Sequence, residues 1–402
     1  VEHDEDIIRS ADYIIDMGPG AGFQGGKVVF AGTPEQLNKS TEGYTSKYLA
    51  HSLSIPTPEH RRKWNLFLEI KNAYLHNLKH IDVKIPLKVL TVVTGVSGSG
   101  KSTLINQILF PALQKKLGNS LKTSGYSDLL GNIEYIQEVI LVDQNPIGRS
   151  TRSNALTYLK IYDDIRALYS SQPLAKQMRF TPSHFSFNIN GGRCEECLGD
   201  GYITVEMQFM ADVKLECESC HGKRFKSEIL EVEYRGKNIF DVLELTVDEA
   251  ISFFKETNGK TESEIVKKLG FLQQVGLGYL KLGQSTSTLS GGESQRLKLA
   301  GFISQKNSPS TLFIFDEPTT GLHIHDIQLL LKAFQLLIER HHSIILIEHH
   351  LDVIKSADWV IDLGPEGGEK GGYVVATGTP EDIAKNENSI TGKYLSKKLA
   401  ML

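Results

Sequence analysis

Residues 90–106 read LTVVTGVSGSGKSTLIN, an apolar run that ends in a glycine-rich loop and continues past a lysine. Gly95 to Ser102 match the pattern G-x-x-x-x-G-K-[ST], in the setting that the phosphate-binding loop requires: after a strand and before a helix starting near Lys101. Gly98 and Gly100 let backbone N–H groups approach phosphate oxygens, Lys101 neutralises the β and γ oxygens, and Ser102 is placed to ligate Mg2+. Gly95, Ser99 and Thr103 belong to the same cradle. The alternative is a plain glycine turn, which the strand–loop–helix context disfavours. ATP and Mg2+ are therefore the expected ligands.

The surrounding sequence supports an α/β fold. LFLEI, HIDVKIP and LTVVTGV are short strand-like runs, and TLFIFD (311–316) and SIILIE (343–348) are apolar runs flanked by turn residues and helical patterns. Such runs fit buried parallel strands. LFIFDEP ends its strand at Asp316, placed to hold Mg2+, and Glu317 follows as the candidate to orient or deprotonate an attacking water. A lone Asp-Glu pair is usually a solvated turn, but the strand before it and Pro318 after it favour catalysis. Gln144, in VDQNP, is a weaker candidate as a sensor of Mg2+ and water. In LSGGESQ (289–295), Ser290, Gly291 and Gly292 stand at a helix start, where free N–H groups can meet a γ-phosphate. Alone, that stretch reads equally well as an ordinary capped helix.

Residues 150–285 interrupt this core with GGR, GDG and HGK turns and are read as a loop-rich insertion. Within it, Cys194 and Cys197 form one CxxC pair and Cys217 and Cys220 another, separated by 19 residues. Two tight pairs suit a tetrahedral Zn2+ held by four thiolates, which closes the coordination sphere and makes the site structural. A redox disulfide is the alternative. His221 reads as a surface residue. Acidic residues interleave with the basic ones around the cysteines, so Arg149, Arg152 and Arg166 form the better cluster for DNA phosphate contacts, each set equally against an ion-paired surface role.

Bulk properties exclude more than they assign. A formal net charge of −4 gives no global attraction to nucleic acid, so any DNA contact must be local. The longest apolar runs fall well short of the roughly 20 residues that cross a bilayer. With no secretory signal pattern and with metal-type cysteine pairs, the cytoplasm is the expected compartment.

The organisation is set by a repeat. Residues 1–37, VEHDEDIIRSADYIIDMGPGAGFQGGKVVFAGTPEQL, align without a gap on 347–383, IEHHLDVIKSADWVIDLGPEGGEKGGYVVATGTPEDI, and the offset of 346 persists to Tyr48 and Tyr394. His3 pairs with His349, Asp16 with Asp362 and Thr33 with Thr379. The second copy closes a complete cassette, whereas no cassette precedes the first. Together with Val1 in place of an initiating methionine, this leads us to expect two tandem cassettes in a longer parent. The expected segments are 1–50 as the tail of the first cassette, 51–65 as a proline-marked linker and 66–148 as the first part of the second ATPase core. Residues 149–285 form the insertion, with its zinc module at about 185–230, and 286–402 the signature helix and the rest of the core.

The phosphate loop, DEP, LSGGESQ, TTGLH (319–323) and His349 together resemble the ABC ATPases. That resemblance implies a parallel sheet with flanking helices, an antiparallel subdomain and a signature acting on nucleotide held by another cassette. His349 would be catalytic, beside Glu317 and Gln144. His3 would belong to the other cassette's site, and this chain alone would hydrolyse ATP feebly. The segments VTGVSGSGKSTLIN, NPIGRSTRSN, FSFNINGGRCEECLGDG, LGQSTSTLSGGESQRLKLA and DLGPEGG are similar to the UvrA family, the A subunits of bacterial excinucleases. This implies a soluble homodimer that senses distorted double-stranded DNA, uses ATP to regulate binding and loads UvrB. KLAGFISQK and His350 depart from the usual pattern and keep a drug-resistance paralogue open. A transporter ATPase would lack the cysteines.

Overall fold

The computed structural model describes residues 1–20, 22, 25–119, 122–143, 152–205, 207, 213–257, 259–305 and 308–400. Two compact units emerge: residues 1–19, 26–144 and 305–402 in one, and 20–25 with 145–304 in the other. The grouping differs from the sequence-based segments in two ways. Residues 1–19 and 26–50 pack with the second core, and the helix Gly291–Ser304 packs with the insertion.

The strands of the first unit are β1 (Ile14–Gly18), β2 (Lys27–Gly32), β3 (Phe67–Ala73), β4 (Ile81–Pro86), β5 (Leu90–Gly95), β6 (Asp128–Gly131) and β7 (Glu138–Val142). The second unit contributes β8 (Tyr202–Val205), β9 (Val213–Glu216), β10 (Glu233–Tyr234) and β11 (Lys237–Asn238). The first unit resumes with β12 (Thr311–Asp316), β13 (Ser343–Ile347), β14 (Trp359–Gly364) and β15 (Tyr373–Gly378).

A six-stranded sheet in the order β15-β14-β5-β13-β12-β7 forms the centre of the first unit. All neighbours in it are parallel except the β14/β15 pair. Its inner strands are mostly apolar because both faces are covered, as parallel sheets require: every residue of β5 and β13 is buried. A separate antiparallel sheet, β4-β3-β6, alternates instead. In β4, Ile81, Val83 and Ile85 point inward while Asp82 and Lys84 face solvent. Its inner face shares one core with Ile105 and Ile108 behind the phosphate loop and with Ile314 and Ile345 of the large sheet. Each such side chain contributes about 1.5–3 kcal/mol on burial.

Parallel strands end together, and here that edge gathers the chemistry. β5 ends at Gly95, β12 at Asp316 and β13 at Ile347, just before Glu348 and His349. Ligands of open α/β sheets bind at this carboxyl edge.

In the second unit, the insertion expected to be loop-rich contains substantial helices: Tyr162–Ser170, Val247–Lys255 and Lys260–Gln274. The signals were present. Thr246 and Glu249 form a capping box, and Ile265, Leu269 and Leu272 are buried at helical spacing. Glycine turns around the cysteines masked them.

Candidate nucleotide site and four-cysteine centre

The phosphate loop takes its shape from two glycines in particular. Gly95 has φ 130° and a Cβ there would lie 1.9 Å from the Leu363 carbonyl oxygen; Gly100 has φ 104° and a Cβ would press on Leu78 at 2.7 Å. No other residue fits either place. Lys101 is buried, and its Nζ donates to the carbonyls of Gly95 at 3.0 Å and Val96 at 2.9 Å. Burial lowers its pKa, opposed by the charges of Glu317, Asp316 and Asp362. These acids and the lysine therefore share one field. Gly98 and Ser102 are exposed, Thr103 is half-buried, and the hydroxyl of fully buried Ser99 has no partner among the described residues. The loop around Gly368 lies against the phosphate loop: Gly368 N donates to Gly98 O at 3.0 Å, and Asn77 Nδ2 donates to Gly98 O at 2.8 Å.

Across the carboxyl edge, Asp316 Oδ2 accepts from Asn106 Nδ2 at 2.7 Å. Glu317 adopts a left-handed φ of 45°, and its Oε1 lies 3.4 Å from His349 Nε2. Burial and then the Lys101 charge lower the pKa of His349, which favours the neutral ring. Lys101, Asp316, Glu317 and His349 thus lie together at this edge of the sheet. Gln144 and Arg149 lie outside the described residues.

Glu348 is a residue that motif reading missed. Fully buried, it accepts from Thr319 N and Oγ1 on one oxygen, and from His349 N at 2.8 Å and His350 N at 3.0 Å on the other. It fixes the backbone at both Thr319 and His349, two motif positions distant in sequence. A charged residue ending the apolar run SIILIE was the available signal.

In the second unit, Ser290 and Gly291 are exposed and Gly292 is half-exposed at the start of the helix Gly291–Ser304. Ser290 N donates to Glu293 Oε2 at 2.7 Å and Ser290 Oγ accepts from Glu293 N at 3.2 Å, a reciprocal capping box. The Tyr279 hydroxyl donates to the other carboxylate oxygen of Glu293.

The four cysteines converge as buried free thiols. Their sulfurs all lie within 4.8 Å of one another, with Cys194–Cys217 at 3.8 Å and Cys197–Cys220 at 3.6 Å. A tetrahedron of thiolates about 2.3 Å from a Zn2+ has edges of about 3.8 Å, so the donor set fits that ion. Gly201 N donates to Cys197 Sγ at 3.2 Å. The antiparallel strands β8 and β9, which lie between the two cysteine pairs in sequence, have every residue exposed. His221 is exposed, as expected. Arg166 is paired with Asp163, and Arg152 lies 3.6 Å from Asp200, so each described arginine of the cluster already faces a carboxylate.

Fold and site together define an ABC-type P-loop ATPase cassette carrying a four-cysteine insertion. No family model matches the chain. Individual proteins do: it is 51% identical over 400 residues to UvrABC system protein A of Clostridium perfringens and 50% identical to that of Staphylococcus aureus. These alignments cover 99% of this chain and 42% of each relative, so the chain spans less than half the length of the curated proteins it matches. The crystal structure of UvrA2 from Deinococcus radiodurans matches with a TM-score of 0.88 at 45% identity, over 99% of this chain and 47% of that one. Over nearly all of its own length the chain is similar to UvrA proteins.

Proposed function

We propose that this chain is an ATP-binding and ATP-hydrolysing cassette of a UvrA-type protein, in which nucleotide state regulates recognition of damaged duplex DNA. The carrying observation is the convergence of Lys101, Asp316, Glu317 and His349 at one edge of the parallel sheet. Lys101 exchanges its loop carbonyls for β and γ phosphate oxygens, and Gly95, Gly98, Ser99, Gly100 and Thr103 shape the cradle. Ser102 and Asp316 would hold Mg2+, which would supply charge neutralisation to the phosphates, and Gln144 would sense it. Glu317 accepts a proton as water attacks the γ-phosphorus and ADP leaves. Neutral His349 holds the Glu317 carboxylate in place.

Ser290, Gly291 and Gly292 act on nucleotide bound by another cassette. Residues 1–50, by their repeat relation to 347–394, are the tail of that cassette, with 51–65 as the linker. Cys194, Cys197, Cys217 and Cys220 hold a structural Zn2+. The whole protein acts as a cytoplasmic homodimer, binds distorted DNA and loads UvrB. Among the described residues no helix is long and apolar enough to cross a membrane. Arg149, Arg152 and Arg166 remain the proposed phosphate contacts. For Arg152 and Arg166 this requires exchanging a carboxylate for a phosphate.

The test is a salt-series comparison of the full-length protein on damaged and undamaged duplexes, with and without ATP. A preference for damaged duplex that depends on ATP and disappears in Lys101→Ala is expected. Equal affinity for both duplexes under every condition defeats the repair reading.

A further inference from the structure

Asn106 lies in the segment Thr103–Leu109, directly behind the phosphate loop, and no motif assigns it. Its Nδ2 donates to Asp316 Oδ2 at 2.7 Å. Chemistry fixes the orientation of this amide: an ionised carboxylate only accepts, so the NH2 must face Asp316 and Oδ1 must point elsewhere. That Oδ1 is shielded from solvent and has no hydrogen-bond partner among the described residues. A buried acceptor left bare costs about 1–3 kcal/mol, so a donor belongs there in the working state. The cationic donor of the loop, Lys101 Nζ, is committed to the carbonyls of Gly95 and Val96.

The missing donor is defined by its neighbour. Asp316 is the carboxylate placed to hold Mg2+, and a water bound to that cation has one lone pair on the metal and two polarised O–H groups to give. It is a strong donor that needs an acceptor beside the aspartate. We propose that Asn106 is a positioning residue for the hydrated Mg2+ of the nucleotide site. Its NH2 fixes the rotation of the Asp316 carboxylate, and its carbonyl accepts from a metal-bound water. Mg2+ retains several waters in nucleotide sites and demands near-octahedral geometry, so a fixed acceptor in the second layer selects where one water stands. This inference rests on the nucleotide reading above and deepens it.

The test reads binding. Affinity of the chain for a fluorescent, non-hydrolysable ATP analogue is measured across a Mg2+ series and without metal, for wild type, Asn106→Ala and Asn106→Leu. Mn2+ in place of Mg2+ allows the bound metal to be counted by electron paramagnetic resonance. Both variants are expected to raise the Mg2+ half-saturation about tenfold, the loss of one hydrogen bond to a charged group. Metal-free affinity and unfolding temperature should hold near wild type. An unchanged half-saturation in both variants overturns the proposal. A rise in Asn106→Ala alone also overturns it, because leucine fills the space and a void, not the amide, would then be responsible. A wild-type chain that binds the analogue with no Mg2+ dependence at all removes the nucleotide reading itself, and this inference with it.

Discussion

The two copies of the repeat, residues 1–48 and 347–394, are built alike and housed differently. β1/β2 and β14/β15 are both antiparallel pairs, with irregularities at matching places, Asp16/Met17 and Asp362/Leu363. Asp16 accepts from Thr45 at 2.9 Å and Asp362 from Thr391 at 3.1 Å, partners separated by the same offset. Yet Ile15 and Met17 are 63% and 57% exposed, while their counterparts Ile361 and Leu363 are 0% and 1%. The cause is the neighbour. β14 lies between β15 and β5, whereas among the described residues β1 pairs with β2 alone. Local sequence sets the hairpin, its register and its bulge; burial is decided by what stands on the other side.

The largest effect should separate the copies outright. Ile361→Ala opens a void in a strand with both faces covered and should lower unfolding free energy by about 2–5 kcal/mol in a denaturant titration. The matched Ile15→Ala should stay within about 0.5 kcal/mol, as exposed substitutions do. Equal costs would break the comparison, since they would mean that the β1 face is covered in solution.

An intermediate effect concerns the seat of the first copy. Tyr44 stacks on His325 with ring centroids 4.0 Å apart, and Tyr48 donates to Gln328 at 2.9 Å, both on the helix Ile324–Glu339. Beside them, His323 Nε2 lies 3.2 Å from Thr45 Oγ1, and the His3 ring meets it edge-on. Burial lowers the pKa of His323; His3 and His325 act in the same direction and Asp326 and Asp16 oppose. A histidine whose folded pKa is depressed contributes stability that is complete above its unfolded value, near 6.5, and is lost as pH falls from there toward the folded value. Acidification from pH 7.5 to 5.5 should therefore loosen residues 1–50, read as faster amide exchange in that segment. His323→Gln should flatten this response. An undiminished pH response in that variant would place the switch elsewhere.

How much of this was legible before the structure follows the same division between local and long-range causes. The phosphate loop, the strands ending at Asp316 and Ile347, and the cysteine centre are contiguous or regularly spaced, so motif and period revealed them. Glu348, Asn106 and Tyr279 belong to no contiguous motif, because each acts through side-chain bonds to residues that folding brings beside it: Thr319, Asp316 and Glu293. Placement of the signature helix with the insertion has the same origin. Thr286 N donates to Ser153 O at 2.7 Å, and Gly301 abuts Tyr158, contacts separated by more than a hundred residues. Strength of local pattern does not report which neighbour an element will choose.

The smallest effect is the most discriminating test of the repeat, because it compares two caps of the same design with different chemistry. Thr379 opens the helix Pro380–Ala384: its N and Oγ1 donate to Asp382 Oδ2 at 3.0 and 2.8 Å, and Asp382 N returns to Oγ1 at 3.3 Å. Thr33 opens Pro34–Leu37 with a neutral partner, its N donating to Gln36 Oε1 at 3.0 Å. A carboxylate makes stronger hydrogen bonds than an amide and also complements the positive end of the helix. Thr379→Ala should therefore cost about 1 kcal/mol and Thr33→Ala about half that, measured as shifts in denaturant midpoint. Exchanging the partners, Gln36→Asp in one background and Asp382→Gln in another, should move each cap toward the other's value. If the costs instead stay with the copy and ignore the partner, packing around each helix sets its worth, and the repeat conserves shape without conserving energetics.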